Sequence, residues 1–432
     1  MTTKLGIRVG NWDYIDQYSH LYNRGATADP LASYEAYVRA TGGPELANYH
    51  AGAARSSYVS FTQAWPPTDH NFDGDWDTYA DNGTCIVFSA GANETNPTNA
   101  QLDARADDLL DFWAAHPNME SMVMTYWHEP NNNTTSAAWW AVMQNIMTRW
   151  TSRGVPRWEG TQAGVTTTPG MIYAGPNLAS LTATNSTLGV GLFNIWYPTT
   201  NSFIWSDQGI QMASFDIYPG GNSGLGRWRG LPELFGDPSA QPTPGTTSEF
   251  VEWYLGRRAA QNNLGRVLLA GCFEWGWDDW NKMWPFSFNA TTGVASNPIR
   301  YFDDQGPNGE SPTAWWMSHV GTYPPSFTDG LVNFAAYLTA NPTLFYVICY
   351  WDSIASATRP GSGRGPHMLD CGAPSIINQA ASPGTQTTNW NAWLQFVKTP
   401  VFGHVGGVVE PPPPVGFVPG VVAPMTRVKS GG

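Results

Sequence analysis

The sequence predicts an α/β chain closed into a (β/α)8 TIM barrel, and three observations lead there. Short apolar runs alternate with amphipathic stretches of helical period along most of the chain. The principal apolar runs number eight, and one more helical stretch follows the last of them. The length of 432 residues would suggest two or three domains, yet α/β barrels of this size occur as one unit. An open, doubly wound sheet is the competing architecture.

Each element has its own warrant. Lys4–Gly10 reads as the first strand because Leu5, Ile7 and Val9 alternate. Tyr58–Ala64, Thr84–Gly91 and Ser121–Trp127 follow as the second to fourth. Gly191–Tyr197 is the fifth, with Met171–Gly175 as an extra or competing candidate. Gln211–Tyr218, Arg266–Phe273 and Thr343–Trp351 complete the set. Between Gln101 and His116 the residues Leu102, Ala106, Leu109, Leu110 and Trp113 share a helical face, and Pro117 stops the run. From Ser136 the same spacing recurs in Trp139, Met143, Ile146, Met147 and Trp150, closed by Gly154. Further helices start near Ser248, with Phe250, Trp253 and Tyr254, and near Thr388, with Trp390, Trp393, Leu394 and Val397.

Three connections are long for such a fold: Val155–Val190, Gly220–Thr247 and Trp275–Pro325. The last holds Trp277, Trp280, Trp284, Trp315 and Trp316, an aromatic content that favours order. Residues 1–402 are therefore assigned to the barrel. Residues 403–432, with Pro411–Pro414 consecutive, read as an extended Pro/Gly/Val-rich arm.

Composition narrows the function. With 34 acidic and 21 basic residues the net charge is −13, which argues against a nucleic-acid partner. No apolar stretch reaches the roughly 18 residues of a membrane helix, so membrane insertion is not expected. The N-terminus lacks a charged segment leading into an apolar one, and no signal peptide is expected. Charged residues are only 13% of the chain and Trp numbers 22, so the surface is built from Thr, Asn, Ser, Gly and Gln around many indoles. Most of those rings pack the core. The rest suit a pyranose, whose apolar C–H faces stack on indole while polar neighbours bond its hydroxyls. Cys85, Cys272 and Cys349 lie in strand-like runs and Cys371 in a loop, without metal-ligand spacing. Buried free thiols are the default reading, a Cys349–Cys371 bridge the alternative. No cofactor is expected, and no metal: the eight histidines are scattered. The run Asp73-Gly74-Asp75-Trp76-Asp77 starts like a calcium loop but has Thr84 where the closing glutamate belongs.

In a barrel, chemistry sits at the C-terminal ends of the strands. The fourth ends in Tyr126-Trp127-His128-Glu129-Pro130-Asn131, and the sixth in Phe215-Asp216-Ile217-Tyr218. The seventh ends in Phe273-Glu274-Trp275-Gly276, and the eighth in Tyr350-Trp351-Asp352. Glu129 and Glu274 would thus face each other across the mouth, the pairing glycoside hydrolysis requires. Trp127, His128, Asn131, Tyr218, Trp275 and Trp351 are the candidates for contacting the sugar.

These strand ends resemble clan A retaining glycoside hydrolases. Glycoside hydrolase family 26, the β-mannanase group, is the nearest likeness, because it has His-Glu where most of the clan has Asn-Glu. The resemblance implies Glu129 as acid/base, Glu274 as nucleophile, Tyr218 as the residue orienting Glu274, and His128 as a substrate-contacting partner. It departs at Thr125, where the family usually carries Arg, and in the 145 residues from Glu129 to Glu274 (274 − 129), longer than usual.

Two further readings stand beside the enzyme: a module that holds a polysaccharide or cell-envelope glycan without cutting it, and a structural protein of a bacteriophage tail. The low lysine count and the Pro-rich arm suggest the tail, with the arm docking the barrel to the virion and the location virion-borne or extracellular after lysis.

Overall fold

In the computed structural model, residues 2–9, 30–67, 76–91, 96–132, 134–160, 167–178, 190–217, 248–275, 285–289, 294–300, 327–352 and 388–403 are described. Within them one closed sheet is built from β1 (Lys4–Val9), β2 (Ala53–Val59), β3 (Cys85–Ala90), β4 (Ser121–Tyr126), β5 (Gly170–Leu178), β6 (Met212–Ile217), β7 (Leu269–Trp275) and β8 (Val347–Asp352). All neighbours are parallel, and β8 closes on β1 in register from Lys4↔Val347 to Val9↔Asp352. Among the described residues one α-helix follows each strand: α1 (Pro30–Thr41), α2 (Trp76–Asp81), α3 (Asn99–Ala115), α4 (Ser136–Arg153), α5 (Val190–Trp196), α6 (Ser248–Asn262), α7 (Phe327–Ala340) and α8 (Thr388–Val397). The expected (β/α)8 barrel is the fold, and the open sheet is excluded.

Side chains alternate across the barrel wall. Cys85, Val87, Val123, Ile172, Met212, Leu269, Val347 and Cys349 fill the interior. Ile86, Phe88, Met122, Met124, Phe215 and Ile348 face the helices. The helical faces read from the sequence supply the other half of that outer core: Leu102, Ala106 and Leu109 on α3, and Trp139, Met143, Ile146, Met147 and Trp150 on α4, are all buried. Cys85, Cys272 and Cys349 are buried free thiols.

Two strand assignments need correction. Gly191–Tyr197 is not the fifth strand but lies largely within α5. Phe193, Trp196 and Tyr197 are buried while Asn194 and Ile195 are exposed, the three-and-four spacing of one helical face. The fifth strand is β5, which contains the competing candidate Met171–Gly175 and is buried along all nine residues. The second strand is Ala53–Val59 rather than Tyr58–Ala64. Its Arg-Ser-Ser centre looks like a loop in sequence, yet Arg55 is buried there and reaches Ser89 and His128.

Three strands carry one residue more than their neighbours. On β2, Ser56 and Val59 face Phe88 and Ala90 of β3. On β5, Ala174 and Asn177 face Met212 and Ser214 of β6. On β7, Cys272 and Glu274 face Phe215 and Asp216 of β6. Such bulges re-aim the side chains beyond them. Pro176, which has no N–H to give a ladder, falls within the β5 irregularity.

Helix α3 begins with a reciprocal cap: Gln101 N donates to Thr98 Oγ1 at 3.3 Å, and Thr98 N donates to Gln101 Oε1 at 2.7 Å. Thr98→Ala should cost about 1 kcal/mol in urea unfolding; a variant as stable as the parent would show that the cap contributes nothing.

The segment 218–247, most of the Trp275–Pro325 connection with its five tryptophans, Cys371, Asp73, Asp75 and the arm from residue 404 lie outside the described residues. Within the same connection, Pro285–Asn289 and Val294–Arg300 pair as an antiparallel ribbon.

Candidate active site

The site starts from a strained turn at the end of β4. Trp127 and Glu129 both have left-handed backbones, φ 57° and 48°. For bulky L-residues this conformation is unfavourable by about 1–3 kcal/mol each and persists only where surroundings enforce it. The enforcement is visible. Trp127 N donates to Ala90 O of β3 at 2.8 Å, and Trp139 Nε1 of α4 donates to Tyr126 O at 2.6 Å. Between the two strained residues, His128 bridges to Asn177 of β5. Thr125, where the family pattern has Arg, is buried and donates from Oγ1 to Gly175 O at 2.8 Å, tying β4 to β5.

Above the apolar interior lies a polar layer drawn from several strands. Arg55 of β2 is buried; its Nη2 donates to Ser89 Oγ of β3 at 2.8 Å and to His128 Nδ1 at 3.1 Å, and its Nη1 donates to Ser56 O. Arg55 Nε lies 3.5 Å from Glu274 Oε1, both side chains at most 1% exposed, and the guanidinium sits 5.4 Å above the Phe273 ring. The β7 irregularity explains how Phe273 and Glu274, adjacent in sequence, both reach the interior side. His128 Nδ1 is 3.9 Å from Glu274 Oε1 and 3.6 Å from Asp216 Oδ2 of β6. Asn177 Nδ2 donates to Asp216 Oδ2 at 2.6 Å. Asp216 is wholly buried, and burial first, then the Glu274 charge, pushes its carboxyl well above the usual carboxylate range.

The predicted site residues do not all converge. His128, Glu129 and Glu274 come together around Asp216, with donor atoms of His128, Glu129 and Asp216 within 4.8 Å of one another. Trp127 is half-buried beside them, edge-on to Tyr126, and Asn131 is half-buried in the single turn Pro130–Asn132. Trp275 goes elsewhere: it is fully buried on the helix side of β7, among Phe334 of α7 and Trp393 and Phe396 of α8. An indole enclosed there offers no face to a sugar. Tyr218 lies outside the described residues. Trp351 is on β8, in register with Arg8.

Arg55, Asn177 and Asp216 were not singled out from the sequence. An arginine inside a strand between alanines and serines was the available signal for the first, and the Asp-x-Tyr motif contained the third. The His128, Glu129 and Asp216 donors are spaced as a divalent cation would need, but the Arg55 guanidinium 3.1 Å from His128 Nδ1 already sets a positive charge against that trio.

No protein-family profile matches the sequence, and no curated protein matches it. Among solved structures, the chain is similar to a fungal β-1,4-galactanase at TM-score 0.42 and 13% identity, over 91% of this chain and 99% of that one. A β-glucuronidase from an uncultured Clostridium sp. gives TM-score 0.41 and 10% identity, over 92% of this chain and 50% of that one. A modular endo-β-1,4-mannanase from Cellulomonas fimi, of glycoside hydrolase family 26, gives TM-score 0.33 and 11% identity, over 88% and 79%.

Proposed function

We propose that the barrel is a retaining glycoside hydrolase acting on a polysaccharide, with Glu129 as acid/base and Glu274 as nucleophile. The observation that carries this reading is the arrangement at the mouth: a buried Glu274 beside a guanidinium, and Glu129 on a strained turn next to His128. A nucleophilic carboxylate must be ionised, and Arg55 supplies the charge that favours ionisation. In the first step Glu129 gives its proton to the glycosidic oxygen while Glu274 attacks the anomeric carbon, so the carbon–oxygen bond breaks and the released sugar leaves with the proton. In the second, Glu129 takes a proton from water, the water oxygen attacks the same carbon, and Glu274 is released. The expected carboxyl–carboxyl separation is about 5–5.5 Å.

The His-Glu pair keeps family 26 as the favoured likeness within the clan, and Thr125 leaves mannan as one substrate among several. A place on a virus tail rests on composition, since the arm lies outside the described residues.

The test is a panel of mannan, xylan, glucan and arabinogalactan, with the anomer of the first-formed product read by NMR. Release of a sugar with retained configuration supports the reading; binding without release favours the glycan-holding module. Glu129→Gln should lower kcat about 10²–10⁴-fold on the natural glycan. With an aryl glycoside whose leaving group needs no proton, the loss in the first step should be much smaller. Equal losses on both substrates would remove Glu129 from the acid role.

A further inference from the structure

We propose that Asp216 is a positioning residue that works as a neutral carboxylic acid, packed beside a His128 that is a neutral imidazole with its proton on Nε2. The inference deepens the hydrolase reading of this site, but its geometry stands apart from any turnover.

The argument begins at Arg55, which can only donate. One Nη2 proton goes to Ser89 Oγ at 2.8 Å, and the other points at His128 Nδ1, 3.1 Å away. Nδ1 must therefore offer a lone pair, because an Nδ1–H would face an Nη2–H. The ring proton is then on Nε2. Asp216 Oδ2 lies 3.6 Å from that same unprotonated Nδ1. That lone pair is already taken by Arg55 and the contact is too long for a hydrogen bond, so an ionised Oδ2 would gain neither a proton nor a charge from the ring. Asp216 has one side-chain donor, the Asn177 amide, and its Oδ1 is buried without a hydrogen-bond partner. An ionised carboxylate so poorly solvated is unfavourable, whereas a neutral acid tolerates it.

Charge balance gives the same answer. The groups around Asp216 are Arg55 from β2, His128 and Glu129 beyond β4, Asn177 from β5, Glu274 from β7 and Cys349 from β8, with the Cys272 thiol of β7 on the helix side of the sheet. Burial pushes both thiols up, so they remain neutral. Among the described residues of this set Arg55 carries the guanidinium, and it lies 3.5 Å from Glu274. A neutral Asp216 adds no further negative charge beside Glu274 and Glu129, both of which raise its proton affinity, as burial does. The role follows: Asp216 packs against His128 without competing for the cation that Glu274 needs.

The intact chain, labelled with ¹³C at the aspartate carboxyls and ¹⁵N at histidine, decides it by NMR near pH 7. One aspartate carboxyl should have the shift of a protonated acid and disappear from the spectrum in Asp216→Asn, while His128 reports the Nε2–H tautomer. The sign of the pH dependence is a second readout. An acid whose folded value is raised stabilises most at low pH, and that contribution is lost as pH rises from the aspartate range through the folded value. Asp216→Asn should therefore flatten the fall of urea-unfolding stability as pH rises above the ordinary aspartate range. Aspartates all ionised at pH 7 in the parent chain, or an imidazolium His128, would overturn the proposal. The parent spectrum needs no variant to fold and no substrate, so failure here differs from failure to hydrolyse glycans.

Discussion

Glu274→Ala is expected to abolish glycan turnover while leaving the barrel folded. The side chain is almost fully enclosed beside Arg55, so its removal deletes one member of a buried ion pair. For catalysis the loss is that of the attacking atom itself, and no neighbour can replace it. Asp216 is adjacent in register but carries its own constraints beneath His128. Azide, a small anion, should enter the vacated space and attack the anomeric carbon of an activated aryl glycoside, giving a glycosyl azide of inverted configuration. Hydrolysis at the parental rate would remove Glu274 from the mechanism. Circular dichroism of the variant separates that outcome from unfolding.

Arg55→Met should produce the largest loss of stability, about 3–5 kcal/mol in urea unfolding at neutral pH. The substitution keeps an unbranched side chain over Phe273 but removes the guanidinium 3.5 Å from the buried Glu274 and the donors to Ser89 and His128. Removing one partner of a buried pair is worse than never burying the pair. The direction with pH follows from linkage. Arg55 lowers the proton affinity of Asp216, so its removal raises that affinity further. Stability then falls more steeply with rising pH than in the parent, and the deficit shrinks in acid, where the carboxyls are protonated. A deficit under about 1 kcal/mol, or one that grows as pH falls, would mean that Arg55 does not carry the charge balance of the site.

Much of this architecture was legible in the sequence because both periodicities were clean. The α4 face from Trp139 to Trp150 and the runs of β3 and β4 needed no tertiary information. Gly191–Tyr197 was ambiguous for a physical reason: a seven-residue apolar stretch is too short for its spacing to separate strand from helix. β5 was partly concealed by Gly175 and Pro176, which usually mark a turn and here sit in an irregularity. At the site, His128, Glu129 and Glu274 stood out as ionisable residues where apolar strands end. Arg55 did not, because an Arg-Ser-Ser run in the middle of a strand has the composition of a loop. Trp275 was drawn to the mouth by its position beside Glu274; only the extra residue in β7 turns the indole to the helices and the carboxylate inward.

That extra residue ties the chemistry to counting as well as to identity. Along β7 the inward and outward sides are assigned by parity, and the irregularity near Phe273 is the one place where parity is broken. Shortening the strand there by a single residue would exchange the two neighbours beyond it, leaving an acid in the oily seam against α7 and α8 and an indole over the guanidinium. Transplanting this carboxylate onto another barrel therefore means moving the insertion with it.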